Sequence, residues 1–550
     1  RLKGIVLAHG GTTSHTVILA RAFGIPCITG VKDVHHRLRN GQDIILDAER
    51  GLVIPNPPDL VLAFYGSEIS KMEAFRTRLA KFIKVPSATA DGKRLEVGAN
   101  IGSYEEAEAA FRNGAEGIGL FRTELLFMNR PEPPGEEEQF RVYANTATLA
   151  GKKSVIVRTL DIGGDKPIPY LNLPVEANPF LGYRAVRMYE AHKEIVETQL
   201  RAILRASAFG NLKIMIPMIS SVEEVKHVRT WTRAVMDQLD RDHIPYNRKI
   251  EIGIMVEIPS ACFIIDQLSR EVDFFSIGSN DLTQYYLAVD RDNQKVAHLY
   301  SSFQPSFLRL MKKIIDDAHA HGKWVGLCGE LGSNRLAVPL FIGWGIDEIS
   351  LASPDIPVMK LAISLCRSAE CRKLVPPILE KESPLDVETA LREFFANKAE
   401  GALTAKEMIR LDSSSKTKEE AIRELVDLLH LADRVDDADK VEETIWQREA
   451  TYSTGVGFGV AIPHCKSQNV LANSIAVLKL REPIDWGSAD GQPVQLVILI
   501  AIKGEKAGVQ HLKMIASLSR KLVDDTFRAR ITSETTEAKM LVLVNSALKS

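Results

Sequence analysis

The chain has 550 residues, more than a single hydrophobic core normally serves, so several domains are expected. Its 69 Lys plus Arg nearly balance 71 Asp plus Glu, a formal charge of −2, and no basic run is long enough to form a nucleic-acid footprint. Six cysteines without a CxxC pair, and no early apolar run resembling a signal peptide or membrane span, point to a reducing cytoplasm, with proteins and small molecules as partners.

The first residue is Arg1, and the chain opens directly into the strand-like run Lys3 to Ala8, which reads as the C-terminal part of a longer protein. Residues 1 to 60 carry short apolar strands, Gly4 to Leu7 and Ile44 to Leu46, around a helix starting near Ser14, and Asn56-Pro57-Pro58 closes this unit. Residues 61 to 91 read as a linker: from Leu60 to about Lys84 apolar residues recur at helical spacing beneath a charged face.

From 92 to 370 short apolar runs alternate with amphipathic helical segments, the pattern of βα units on a parallel sheet. The runs are Leu95 to Ala99, Gly117 to Leu120, Ser154 to Val157, Lys213 to Pro217, Glu251 to Val256, Phe274 to Ile277, Trp324 to Leu327 and Glu348 to Leu351. Eight such units predict a closed (β/α)₈ barrel of the TIM type rather than an open sheet. Residues 371 to 402 are barrel tail and linker, with a charged helix around Glu388 to Lys398. A further α/β unit fills 403 to 550, with a helix around Lys418 to Leu429, strands around Ser474 to Leu480 and Val494 to Ile502, and a helix around His511 to Leu522. The fold class is therefore α/β multidomain.

Gly10-Gly11-Thr12-Thr13-Ser14-His15 puts glycines and hydroxyls at a strand-to-helix turn, where free N–H groups and the helix dipole favour an anion. A lone histidine at a cap is more often structural. The whole string GGTTSHTVILARAFGIPCITG, however, resembles the phosphohistidine swivelling domain of Enzyme I of the phosphoenolpyruvate (PEP):sugar phosphotransferase system and of related PEP-utilising dikinases and synthases. The resemblance implies that the domain is present in part and that His15 becomes its tele-phosphohistidine.

On a (β/α)₈ barrel catalytic groups sit at the C-terminal ends of the strands. Those ends carry Arg122-Thr-Glu124, Arg158, Glu257, Gly278-Ser279-Asn280-Asp281 with Arg291 beyond, and Cys328-Gly-Glu330. Most arginines are surface ion-pair partners. Several of them converging with Glu257 and Asp281 suit a substrate with phosphate, carboxylate and a divalent cation, Mg²⁺ being the ion that hard oxygen ligands favour. FRTELLFM, RTLDIGGDK, NPFLGYRAVR, EIGIMVEIP, DFFSIGSNDLTQY and GLCGELG resemble, in order, the PEP-binding barrel of Enzyme I. That resemblance implies that Arg122, Arg158 and Arg291 hold phosphate and carboxylate, that Asn280 contacts the phosphoryl oxygens, and that Glu257 and Asp281 hold Mg²⁺. It makes Cys328 the acid that protonates the enolate carbon, and puts Arg184 at the same mouth.

Near the end, Gly455-Val-Gly457-Phe-Gly459 leads into Pro463-His464, glycines that let backbone N–H groups approach an anion before a fixed Pro-His pair. This string, and the segment from LTAKEMI onward, resembles the fructose- and mannitol-type Enzyme IIA domain. The resemblance implies that His464 is a phospho-acceptor, His511 a second active-site histidine and Arg448 a phosphate contact.

Enzyme I-like modules ahead of such a IIA domain resemble the bacterial multiphosphoryl transfer family, here without the preceding phosphocarrier module. The implied activity is PEP-protein phosphotransfer through phosphohistidines, with a histidine phosphocarrier protein, a membrane Enzyme IIB/IIC sugar permease and a second copy of the chain, docked through the barrel, as partners. Two alternatives are a PEP synthase or pyruvate phosphate dikinase-like enzyme and a regulatory phosphorelay protein.

Overall fold

The computed structural model describes residues 2–548 except 9–16, 18–19, 21–24, 49, 60, 63–64, 67–68, 70–78, 81, 129, 164–167, 172, 175, 292, 294, 401–402, 433, 489, 505–517, 519 and 523, with backbone alone at 396–400. His15 and its turn, much of the expected linker helix, and His511 therefore lie outside the described residues. The chain divides into two units, Arg1–Glu388 and Thr389–Ser550.

Unit one opens with two short strand pairs. Strand β1 (Ile5–Val6) runs parallel to β2 (Cys27–Ile28), and β3 (Ile44–Asp47) forms a hairpin with β4 (Leu52–Pro55). Gly51, at φ 67°, supplies the left-handed residue in the hairpin turn.

Eight parallel strands then close into a barrel: β5 (Glu96–Ile101), β6 (Ile118–Arg122), β7 (Val155–Arg158), β8 (Leu212–Ile216), β9 (Glu251–Val256), β10 (Phe274–Ile277), β11 (Trp324–Leu327) and β12 (Glu348–Leu351). Each of the eight expected apolar runs overlaps one of them. They are buried on both faces, so they read as continuous apolar runs and not as alternation. The covering helices are α1 (Tyr104–Arg112), α2 (Glu136–Ala150), α3 (Lys193–Ala206), α4 (Val222–Arg241), α5 (Ser279–Leu287), α6 (Pro305–Ala320), α7 (Val338–Trp344) and α8 (Ile356–Ser364). Local chemistry sets where they start: Ser221 and Glu224 form a capping box on α4, and Ser103 caps α1.

The barrel bore is layered. Leu120, Ile156, Met215, Met255, Phe274 and Cys328 form an apolar plug. Beside it Phe274 stacks on Trp324 at 4.5 Å, and Lys213 lies over the Trp324 ring with its ammonium 2.7 Å from Glu251. Each large apolar side chain so buried contributes roughly 1.5–3 kcal/mol. Two helices follow the barrel, α9 (Ser368–Leu379) and α10 (Pro384–Glu400), the second covering the charged helix expected near Glu388.

Unit two is a mixed sheet of β13 (Ile409–Ser413), β14 (Gly455–Gly457), β15 (Val460–Ala461), β16 (His464–Ser467), β17 (Ser474–Ile484) and β18 (Val494–Lys503), in the order β13-β17-β18-β15-β14 with β16 also beside β18. Helices α11 (Lys418–Leu431) and α12 (Ala438–Thr451) bury Ile422, Leu425, Leu429, Val441 and Ile445 in one apolar cluster of this sheet. Helices α13 (Asp525–Ser533) and α14 (Glu537–Leu548) bury Phe527, Ile531, Met540 and Val544 in another. The two central strands and α11 match the sequence reading, and of the helix around His511 only Leu518 and residues 520–522 are described as helix. Among the described residues no helix is long and apolar enough to cross a membrane.

Candidate active site

The C-terminal ends of the barrel strands carry a chain of alternating buried charge. Arg158, the last residue of β7, pairs with Glu124 at 2.7 Å and with Asp161 at 2.8 Å. Asp161, whose side chain is fully shielded, also receives both Nε and Nη2 of Arg184, at 2.8 and 2.9 Å. The same Nη2 of Arg184 reaches Asp281 Oδ2 at 2.9 Å, and Arg291 pairs with Asp281 Oδ1 at 3.1 Å. Tyr285 supports Arg184 and itself donates to the Phe180 carbonyl at 2.6 Å. Such pairs offset the cost of burial only as a set, because removing one partner leaves a charge in an apolar surrounding.

Glu257 stands next to this chain, just past β9 and 1% exposed. Its Oε1 accepts the N–H of Met218 at 2.7 Å, a residue in left-handed conformation at φ 57°. Gly278 gives it room: a Cβ there would come 3.2 Å from Glu257 Oε2. Burial, then the nearby carboxylates of Asp281 and Asp161, push its pKa up to about 8. Like charges therefore converge on Glu257 and Asp281, as at a cation site. Among the described residues no group of three or more ligating side chains is assembled. Two carboxylates suffice for Mg²⁺, which keeps several waters and takes substrate oxygens.

Cys328 follows β11 and is 2% exposed, with its thiol 3.6 Å from the Ile277 carbonyl. Burial pushes its pKa up to about 11, so it holds its proton at neutral pH. The Asn100 amide fixes its carbonyl at 3.1 Å. Asn280 Oδ1 accepts the Glu330 N–H at 2.8 Å, tying the first turn of α5 to the loop after the cysteine.

Of the barrel residues expected from sequence, Arg158, Arg291, Glu257 and Asp281 come together in or beside the charge chain. Arg122 ends β6 in register with Arg158, but its side chain is exposed and outside the buried pairs. Asp161 was not anticipated, although it lies only three residues beyond Arg158 in RTLD, and Glu124 had been noted without a role. Asp161→Asn should lower barrel stability by about 3 kcal/mol, read from urea unfolding, because two guanidiniums lose their shared counter-charge. An unchanged transition would mean that the pairs are replaceable by solvent.

In unit two His464 opens β16, half-buried. Its Nδ1 lies 3.0 Å from the Ile462 carbonyl, and Arg448 Nε donates to its Nε2 at 3.0 Å. A carbonyl only accepts and a guanidinium only donates, so the proton sits on Nδ1 and the lone pair on Nε2. Arg448 is held in turn by the Tyr452 carbonyl at 3.1 Å. Burial chiefly, with the Arg448 charge, lowers the His464 pKa against the opposing Ile462 hydrogen bond.

The glycines before His464 form a turn: Gly457 and Gly459, at φ 91° and 73°, connect β14 and β15, and the Phe458 N–H between them donates to the carboxylate of Asp490 at 2.8 Å. Gly455 is needed because a Cβ would come 2.5 Å from Ser488 Oγ.

The lowered pKa means the folded site binds a proton less readily than the unfolded chain. Its contribution to stability is present above about pH 6.5, the unfolded value, and is lost as pH falls from there through the lower folded value. In an NMR titration the His464 ring should have a midpoint below about 6.5, and Arg448→Ala should raise it. An equal midpoint in the variant would remove Arg448 as a cause.

Comparison with known proteins agrees with this geometry. Residues 76–367 match the family of PEP-utilising enzymes through its PEP-binding domain, residues 1–51 match the mobile domain of PEP-utilising enzymes, and 402–547 match EIIA 2 of the PEP-dependent sugar phosphotransferase system. The chain belongs to the PEP-utilising enzyme family. It is 46% identical to multiphosphoryl transfer protein 2 of Escherichia coli K12 over 96% of this chain and 63% of that protein. It is 44% identical to the multiphosphoryl transfer protein of Shigella flexneri over 100% of this chain and 66% of that one. Against the phosphoenolpyruvate-protein phosphotransferase of Buchnera aphidicola identity is 44% over 72% of this chain and 69% of that protein. The chain thus spans a little under two thirds of the length of the multiphosphoryl transfer proteins it matches.

Proposed function

We propose that this chain carries the PEP-converting and IIA portions of a PEP-protein phosphotransferase of the sugar phosphotransferase system. The phosphoryl group passes from PEP to His15, on to a histidine phosphocarrier protein, then to His464, and from there to a membrane Enzyme IIB/IIC permease that takes up and phosphorylates a sugar. The observation that carries this reading is the convergence of Arg158, Arg184 and Arg291 with two hard carboxylates at a barrel mouth where a protonated thiol is buried. The names of the relatives support the same route. Cys27, Cys262, Cys328 and Cys465 are free thiols, which supports a cytoplasmic setting.

Within this reading Arg122, Arg158 and Arg291 hold the phosphate and carboxylate of PEP, and Asn280 meets the phosphoryl oxygens. Glu257 and Asp281 would hold Mg²⁺, which when bound neutralises charge on those oxygens. Arginines now engaged by Asp281 are already at the mouth, so binding exchanges one anion for another at low reorganisation cost. A neutral imidazole nitrogen of His15 attacks phosphorus, the bond to the enolate oxygen breaks with its electron pair staying on the enolate, and Cys328 gives its proton to C3 to make pyruvate. In unit two the Nε2 lone pair of His464 is the nucleophile, aimed by Arg448.

Glu257→Gln and Asp281→Asn should each abolish PEP turnover, measured as pyruvate release, with the barrel still folded by circular dichroism, since each removes an anionic ligand and keeps side-chain shape. Normal turnover in either variant would contradict the assigned metal site.

The route is tested with labelled PEP and Mg²⁺ on the complete protein. Acid-labile, base-stable label should appear on the His15 peptide and vanish in His15→Ala. Label on the peptide around Ile462 to Lys466 should need the phosphocarrier, supplied as a module or a separate protein, and be lost in His464→Ala. Equally fast His464 labelling with no phosphocarrier in any form would overturn the relay order.

A further inference from the structure

Below Cys328 lies a carboxyl group that the proposed reaction does not use. Glu348 opens β12, is 6% exposed, and neither of its oxygens has a hydrogen-bond partner among the described residues. The cation of its layer, Lys213, is taken by Glu251 at 2.7 Å, and the Ser350 hydroxyl lies 3.4 Å from the Leu327 carbonyl. An ionised carboxylate in that position would cost several kcal/mol, and burial, then the neighbouring Glu96, hold its pKa well above the ordinary carboxylate range against the weaker opposing pull of Lys213 and the Ser350 hydroxyl. Glu348 therefore rests as a neutral acid with one proton to give.

The backbone around this acid is cleared for it on three other strands. A Cβ on Gly98 would come 2.5 Å from Glu348 Oε1, one on Gly326 would come 2.5 Å from Oε2, and one on Gly119 would collide with Oε1. Ser276, Gly326 and Glu348 are register partners across β10, β11 and β12. Ser276 and Glu348 thus flank Gly326, two residues before Cys328 on the same strand. The Cβ position of Gly326 is 3.6 Å from Ser276 Oγ, so both side chains converge there. Ser276 Oγ is itself buried without a hydrogen-bond partner, and it is near enough to the Cys328 thiol to favour its ionised form.

We propose that Glu348 is the proton reservoir that recharges Cys328 through Ser276, an inference that rests on the PEP reading above. Once Cys328 has protonated the enolate carbon, its sulfur is a thiolate inside the apolar plug. The Ser276 O–H proton moves to sulfur, and the Ser276 oxygen takes the proton of the Glu348 carboxyl through one bridging water. Glu348 is left ionised and recovers a proton from Glu96, whose pKa burial also raises and which is only partly buried. Each turnover moves one proton from solvent to the methyl group of pyruvate. No other group changes charge over the cycle.

The test uses the complete protein with PEP, Mg²⁺ and excess histidine phosphocarrier protein, following pyruvate from the first turnover. Glu348→Gln keeps the shape but has no acidic proton. It should give a stoichiometric burst at the wild-type rate, because Cys328 starts protonated, followed by a steady state lowered about 100-fold with an enlarged solvent deuterium isotope effect. Ser276→Ala should give the same pattern. A structural role would instead lower burst, steady state and Tm together; that result, or an unchanged steady state in Glu348→Gln, overturns the relay. Failure of the wild-type protein to release pyruvate would remove the PEP reading itself.

Discussion

The barrel mouth depends on the carboxylate of Asp161, shielded from solvent and shared by two guanidiniums. Without it Arg158 and Arg184 would be like charges side by side in an apolar wall. With it the mouth becomes a run of alternating sign from Glu124 to Arg291, in which three arginines balance Glu124, Asp161 and Asp281. Glu257 stands beside this run, and burial first, then the carboxylates of Asp281 and Asp161, raise its pKa to about 8 against the pull of Arg184 and Arg158. On the proposed reading one further positive charge would be received by Asp281, which Arg184 and Arg291 already hold, and by Glu257, which the Met218 N–H holds.

A second constraint runs down the barrel axis. On the proposed reading Cys328 would have to keep its proton, which an apolar surrounding ensures, and also recover it after each use. The plug of Leu120, Ile156, Met215, Met255 and Phe274 provides the first condition and works against the second. Glycines at positions 98, 119 and 326 leave room in the layer below for the acid side chain of Glu348, where bulky branched residues normally fill a bore, and on the proposed reading that acid would meet the second.

The architecture was legible because βα periodicity is a local signal: each apolar run names its strand, and the residue after it names a strand end. That reasoning reached Arg158, Glu257, Asp281 and Cys328. The resemblance also put Arg184 at the mouth, but not its contact with Asp281, which joins residues 97 positions apart and which no local pattern encodes. Glu348 was passed over for a related reason, being the first letter of the run EISL, read as strand and nothing more. The glycines before His464 were legible as special, but the partner of the N–H between them was not: only the structure shows the left-handed turn and its contact with the Asp490 carboxylate, 32 positions away.

Both units treat arginine alike, and the likeness bears on rate. Arg448 is oriented by the Tyr452 carbonyl with its Nε on His464, while Arg184 and Arg291 are oriented by Asp281. A free arginine carries about 2 kcal/mol of rotamer entropy that phosphate binding would have to overcome. Held on an internal acceptor, each guanidinium has lost that freedom in the folded state, so on the proposed reading an arriving phosphoryl group would meet donors already aimed. The acceptor must also be easy to leave. A carbonyl at a helix end is a weak rival to a dianion, and a carboxylate that a metal can claim becomes one when the metal binds. On the proposed reading, the Asp281 pairs would then yield as metal and substrate arrive together, whereas the Asp161 pairs, which face no such competitor, would stay closed throughout the cycle.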